Sequence, residues 1–139
     1  TKMYTFFKFF CVGLLNTAID FTVLNICVFF FGTGENGELF VFFKSISFLA
    51  AVTNSYFLNK WFVFEHDAPM SAKEPLLFLI ISCVGFWINV SISFAMFTLF
   101  VQDVSPHFAA NIAALMGTVV VFAWNFIGYR FFVFKQSND

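Results

Sequence analysis

The sequence predicts an all-α membrane protein of four transmembrane helices, built as two hairpins of the same orientation with both termini in the cytoplasm. Three observations lead there. The 139 residues are 60% hydrophobic and only 11% charged, where a soluble domain carries roughly 25% charged residues. The apolar residues gather in runs long enough to cross a bilayer, which takes about 20 residues. Landmarks of the first half of the chain also recur in the second.

The runs cover residues 4–31, 39–64, 76–101 and 106–134. They lack sustained period-two alternation and are too long for barrel strands. The third holds no charged residue, and the fourth none before Arg130. The first is too long for a signal peptide and has no small-residue cleavage site, so it is expected to remain as a membrane helix. Gly32-Thr33-Gly34-Glu35-Asn36-Gly37-Glu38 is a glycine-rich breaker between the first two runs. The longest polar segment, 65–75, contains Ser71 and Glu74 at capping-box spacing, with Pro75 leaving the helix start ambiguous. Ser105 and Pro106 read as N-cap and first helical residue of the last run. With no linker or low-complexity tract, residues 1–139 are expected to form one domain.

The bases set the orientation. Lys2, Lys8, Lys60, Lys73, Arg130 and Lys135 lie on one side, and Lys44 lies on the other with Glu35, Glu38 and Asp103. An excess of Lys and Arg marks the cytoplasmic face, so both termini and the middle loop are expected there. Tyr4, Trp61, Trp124 and Tyr129 fall near the same boundary, as an interfacial belt would.

The repeat pairs Cys11-Val12-Gly13 with Cys83-Val84-Gly85, each followed by an asparagine, Asn16 or Asn89. It also pairs Lys60-Trp61-Phe62-Val63-Phe64 with Arg130-Phe131-Phe132-Val133-Phe134. Two hairpins related by an axis along the membrane normal give this pattern.

At 100° per residue the polar groups collect on stripes. Gly13, Asn16, Thr17 and Asp20 share an arc of the first helix. Ser47 and Asn54 share one on the second, with Thr53, Tyr56 and Lys60 on an adjacent face. Ser82, Gly85, Asn89 and Ser93 align on the third, and Asn111, Thr118, Asn125 and Tyr129 on the fourth. Facing lipid, such stripes would leave donors and acceptors unpaired, so they should face one another. They serve either as interhelical glue or as a polar cavity for a hydrophilic head group. The number of groups exceeds what packing needs and favours the cavity. Ala109, Ala113 and Gly117 form a small-residue packing face. Asp20 is the acid deep inside a span. It needs a partner, a proton or water there. Its readings are a structural hydrogen bond to an Asn or Thr on another helix, a sugar-hydroxyl acceptor, or a proton-coupled switch.

Lys60 and Arg130 either snorkel to the interface or share one phosphate. Their repeated position beside the polar stripes favours the phosphate. Cys11, Cys27 and Cys83 read as small buried hydrophobes, and His66 and His107 have no metal-ligand neighbours. No nucleophile–base set, phosphate loop or metal cluster appears, so neither enzyme chemistry nor a cofactor is expected. A net charge of -1 suggests no nucleic-acid partner.

Phe9…Gly13-Leu14-Leu15-Asn16-Thr17…Asp20-Phe21, Asn54-Ser55-Tyr56…Leu58-Asn59-Lys60-Trp61-Phe62-Val63-Phe64 and Asn125-Phe126…Arg130…Val133-Phe134 resemble the GtrA-like family across nearly the whole chain. The resemblance implies a small four-helix protein of the bacterial inner membrane. Such proteins are linked to cell-surface polysaccharide, teichoic-acid or arabinan glycosylation. It further implies movement of a polyprenyl-phosphate-linked sugar to the outer leaflet, often beside a polyprenyl-phosphate glycosyltransferase. By the same resemblance Asn16, Asp20, Asn54, Asn59, Lys60, Asn125 and Arg130 occupy positions that recur in the family motifs.

The expected function is therefore a lipid-linked sugar translocase, multi-pass in the bacterial inner membrane. Lys60, Arg130 and Lys8 would take the lipid phosphate. Asn16, Asp20, Asn54, Asn59, Asn89 and Asn125 would line the sugar path. Two alternatives stand beside it: a proton-coupled antiporter resembling small multidrug transporters, with Asp20 as the exchanging acid, and a non-transporting scaffold for a glycosyltransferase. A homodimer would enlarge the cavity, with Ala109, Ala113 and Gly117 as its contact face.

Overall fold

The structure is a computed structural model that describes residues 2–36 and 38–135; the side chains of residues 2, 40, 41, 106 and 107 lie outside that description. Lys2 as an orienting base and His107 as a residue without a role fall among those side chains. Every regular element among the described residues is helical. They are α1 (Lys2–Phe31), α2 (Glu38–Leu58), a π-helical turn π1 (Asn59–Val63), α3 (Lys73–Phe100), α4 (Pro106–Gly128) and a second π turn π2 (Tyr129–Val133). The chain forms two compact units, Thr1–Pro69 and Met70–Asp139.

Among the described residues three helices, not four, are long and apolar enough to cross a membrane: Met3–Phe31, Lys73–Phe100 and Phe108–Val133. The exception is α2. Its 21 residues extend about 30 Å at 1.5 Å per residue, enough for a hydrocarbon core. Residues 40 and 41, within its apolar stretch, are among those whose side chains lie outside the description.

In the first unit α1 and α2 form an antiparallel hairpin. Its turn needs glycine at Gly32 and Gly34, where φ is +75° and +80°, left-handed values that a side chain resists. At Gly34 an added Cβ would also meet the Glu38 carboxyl at 2.5 Å. Glu38 opens α2 and accepts a hydrogen bond from the Asn36 N–H at 2.9 Å. Backbone N–H groups, first its own and then that of Asn36, hold its carboxyl below the usual glutamate range. Phe9, Val12, Phe43, Ala51, Tyr56, Val63 and Phe64 form the buried apolar core.

In the second unit α3 and α4 make the corresponding hairpin. Ser105 caps α4 by accepting the Phe108 N–H, with Pro106 in the first turn. The capping box expected ahead of α3 does not form. Ala72 is the N-cap, without a side-chain bond, and the Ser71 carbonyl accepts the Glu74 N–H at 3.2 Å. The proline two residues into the helix leaves the first turn fewer donors to cap. Gly85 and Gly117 let the helices approach closely. A Cβ at Gly85 would meet Asn125 Oδ1 at 2.6 Å, and one at Gly117 would meet Asn89 Oδ1 at 2.5 Å. Gly117 therefore packs on α3, and Ala109 and Ala113 are buried within the chain. That small-residue stripe is used inside the monomer and is not open to a second copy.

Candidate functional site

Both halves of the repeated motif fold the same way locally. At each, an α-helix widens into a single π turn and then stops. The Phe64 N–H donates to the Asn59 carbonyl at 2.9 Å, and the Phe134 N–H donates to the Tyr129 carbonyl at 2.7 Å. This i→i+5 pattern adds one residue to the turn, and π turns of this kind concentrate at functional sites. The extra residue lets Val63 with Phe64, and Val133 with Phe134, turn into the core while Trp61 and Phe62, or Phe131 and Phe132, stay exposed.

The first motif contains Lys60, which is not a snorkelling base. It is only 1% exposed, and its ammonium donates to the Ala68 carbonyl at 3.0 Å. Asn59, also 1% exposed, donates from Nδ2 to the Ser55 carbonyl and hydroxyl at 2.7 and 3.1 Å. Its Oδ1 is buried and accepts no hydrogen bond. Such an acceptor costs about 1–3 kcal/mol unless a donor reaches it. Lys8 is buried from the α1 side. It donates to the Phe62 carbonyl and to Glu65 Oε1, each at 3.0 Å, and lies over the Tyr4 and Phe62 rings. Lys8, Lys60 and Glu65 thus tie the chain after π1 to both helices of the hairpin.

Further along the same hairpin Asn54 Nδ2 donates to Asn16 Oδ1 at 2.9 Å. Beyond it Asp20 receives the Lys44 ammonium and, at 2.6 Å, the Ser47 hydroxyl. One expected reading of Asp20 was a structural hydrogen bond to an Asn or Thr on another helix. A lysine and a serine hold it instead, so Lys44 is more than a base of the opposite loop. The register explains this. With Asn16 opposite Asn54, one turn along α1 brings Asp20 level with residue 50 of α2, and Ser47 and Lys44, one and two turns nearer the start of α2, reach it. Sequence reading missed the pair because it weighed Lys44 only by side of the membrane. Counting outward from the turn along both helices was the available signal.

The second unit holds Arg130 half-buried, with its guanidinium 5.7 Å from the Phe131 ring centroid. Tyr129, expected in an interfacial belt, is buried. Its ring stacks on Phe78 at 4.0 Å, and its hydroxyl shares a 2.6 Å hydrogen bond with Ser82. Trp124 Nε1 donates to the Ile81 carbonyl at 3.0 Å. Asn89 accepts from the Ser93 hydroxyl at 3.1 Å. Asn125 Oδ1 faces Gly85 and, like Asn59 Oδ1, is buried without a hydrogen bond.

Only parts of the four stripes turn inward. Thr17, Thr53 and Thr118 are exposed and bond back to carbonyls of their own helices, at Gly13, Leu49 and Ala114. Asn111 is also exposed. Within the first unit the structure joins Asn16 to Asn54 and Asp20 to Lys44, and places Lys8 beside π1. Within the second it lays Asn89 and Asn125 along the α3–α4 contact. Among the described residues no group of three or more His, Cys, Asp or Glu side chains stands close enough to hold a metal ion.

A family model described as GtrA/DPMS, transmembrane domain, matches residues 8–134. No curated protein and no solved structure matches the chain.

Proposed function

The chain belongs to the GtrA/DPMS transmembrane-domain family, and on that premise we propose that it moves a polyprenyl-phosphate-linked sugar across the bacterial inner membrane. It does so as a carrier and not as an enzyme, for glycosylation of cell-surface polysaccharide or cell wall. The observation that carries this reading is the pair of π turns, each holding one base, Lys60 or Arg130. An anionic lipid head group is the ligand that two such bases suit.

In this reading Lys60, with Lys8 beside it, binds lipid phosphate in the first unit, and Arg130 binds lipid phosphate in the second. Lys60 turns its ammonium toward the phosphate, where attraction between opposite charges adds to the hydrogen bond. The bare Oδ1 atoms of Asn59 and Asn125 await hydroxyl donors. Sugar hydroxyls supply them, with Asn16, Asn54, Asn89 and Asp20 replacing water along the path. The isoprenoid tail stays in lipid throughout.

The proposal includes four crossings, both termini cytoplasmic and one domain. In it α2 crosses beside α1, which neutralises Lys44 and satisfies Asn54 and Ser47. Leaflet movement of a polyprenyl-phosphate sugar in reconstituted vesicles tests the function. Loss of movement in the Lys60→Ala, Arg130→Ala double variant supports the clamp, and full retention sinks it.

One observation favours a second reading. The Asn16–Asn54 contact joins α1 and α2 side chain to side chain, as a scaffold for a glycosyltransferase would need. Copurification with such an enzyme, together with absence of lipid movement, would decide for it. The antiporter reading is weaker, since the acid it needs as an exchanger is already bound to a lysine.

A further inference from the structure

The Asp20–Lys44–Ser47 cluster is the part of the first hairpin that the phosphate clamp leaves unused. It lies 11 residues inside the Phe31 end of α1, about 16 Å along the helix axis, well away from π1. Ser47 is fully buried, and its hydroxyl fixes one carboxylate oxygen of Asp20 while Lys44 takes the other. The carboxylate is therefore aimed. The lysine is not enclosed. Its side chain is 42% exposed against 22% for Asp20. An ammonium has three donor hydrogens, and one is spent on Asp20 here.

A pair that only glued α1 to α2 would have both charges inside the contact. This one keeps the carboxylate in and turns the cation out. A phosphate travelling along the hairpin from the π-turn end meets Lys44 as the next cation. Carboxylate and phosphodiester carry the same single charge and accept from the same donor. Asp20 is then a stand-in that keeps Lys44 neutralised and oriented while no lipid is present.

Resting on the translocation reading above, we infer that Lys44 is a second phosphate-binding residue for an isoprenoid phosphate lipid, with Asp20 as the built-in competitor that it exchanges for the ligand. On arrival the phosphate oxygen takes the Lys44 donor, and Asp20 keeps the Ser47 hydroxyl. On departure the carboxylate returns. The competition weakens binding enough for the lipid to leave, which transport requires.

The test measures binding and movement on the same variants. Binding is read by native mass spectrometry of detergent-solubilised protein with undecaprenyl phosphate, and with phosphatidylglycerol as the bulk anionic lipid. Movement is read with a polyprenyl-phosphate sugar in vesicles of phosphatidylcholine. Asp20→Asn keeps the shape and removes the competitor, so undecaprenyl phosphate should bind about tenfold more tightly and movement should slow. The double variant Asp20→Asn with Lys44→Gln leaves no unpaired charge, so it folds. It should lose that gain and fall below wild-type in both assays. A purely structural pair predicts wild-type binding and movement in the double variant, and that result overturns the inference while leaving the translocation reading intact. Tighter binding in Asp20→Asn with no movement in wild-type upholds the Lys44 site and overturns the translocation reading. Equal gain for phosphatidylglycerol and undecaprenyl phosphate overturns selectivity for the isoprenoid lipid.

Discussion

Lys60 changes meaning most between sequence and structure. At the end of an apolar run a lysine ordinarily stretches to the head groups. Here it turns inward to the Ala68 carbonyl, so its removal affects the fold as well as any ligand. Lys60→Met should lower stability in detergent by about 1–3 kcal/mol, the cost of leaving a buried partner unsatisfied, measured as a drop in unfolding temperature. Asn54→Ala leaves the Asn16 amide without its partner and should cost about 0.6 kcal/mol or slightly more, in line with interhelical hydrogen bonds in membranes. Glu38 acts through its charge. Backbone N–H bonds hold its carboxyl below the ordinary range, so its contribution to the α1–α2 turn is fully present above the unfolded-state pKa. It fades as pH falls through the lower folded-state value. The protection factor of the Asn36 amide, its exchange relative to the intrinsic rate at each pH, should fall over that acidic window and be constant near neutrality.

At the scale of elements the paired π turns carry the argument. Each adds one residue to a helical turn, and removing that residue rotates everything after it by about 100°. Deleting exposed Trp61 should restore a plain α-helical turn and swing Phe64 out of contact with Phe9, whose ring centroid lies 6.3 Å away. Helix content by circular dichroism should persist while stability falls by about 1–3 kcal/mol. The four helical runs were legible in the sequence because apolarity over 20 or more residues leaves little choice of structure. The π turns were not, because nothing in Lys60-Trp61-Phe62-Val63-Phe64 marks a widened turn except the burial that it permits. Tyr129 shows the same limit. Its position at the end of a span resembles an interfacial aromatic, yet Phe78 and Ser82 on α3 draw it into the core.

At the scale of the whole molecule, membership of the GtrA/DPMS family was legible from motifs spread along the chain, and the family model covers residues 8–134. The site was legible only in part. The stripes carrying Asn16 and Asn54 were expected to face one another, and these two side chains meet at 2.9 Å. The Asp20–Lys44 pair required the hairpin register as well as the stripes. The pair also neutralises Lys44 within the hairpin, and charges paired between two helices enter lipid more easily than either does alone. The central claim of the proposed function is that the repeated bases Lys60 and Arg130 bind the phosphate of the lipid that is moved. Its most direct measurement is the rate at which a polyprenyl-phosphate sugar changes leaflet in vesicles containing wild-type protein or the Lys60→Ala, Arg130→Ala variant at equal folded amounts. Translocation by the clamp predicts rapid movement with wild-type and at least a tenfold slower rate with the variant. Equal rates for the two, with both above protein-free vesicles, would contradict it.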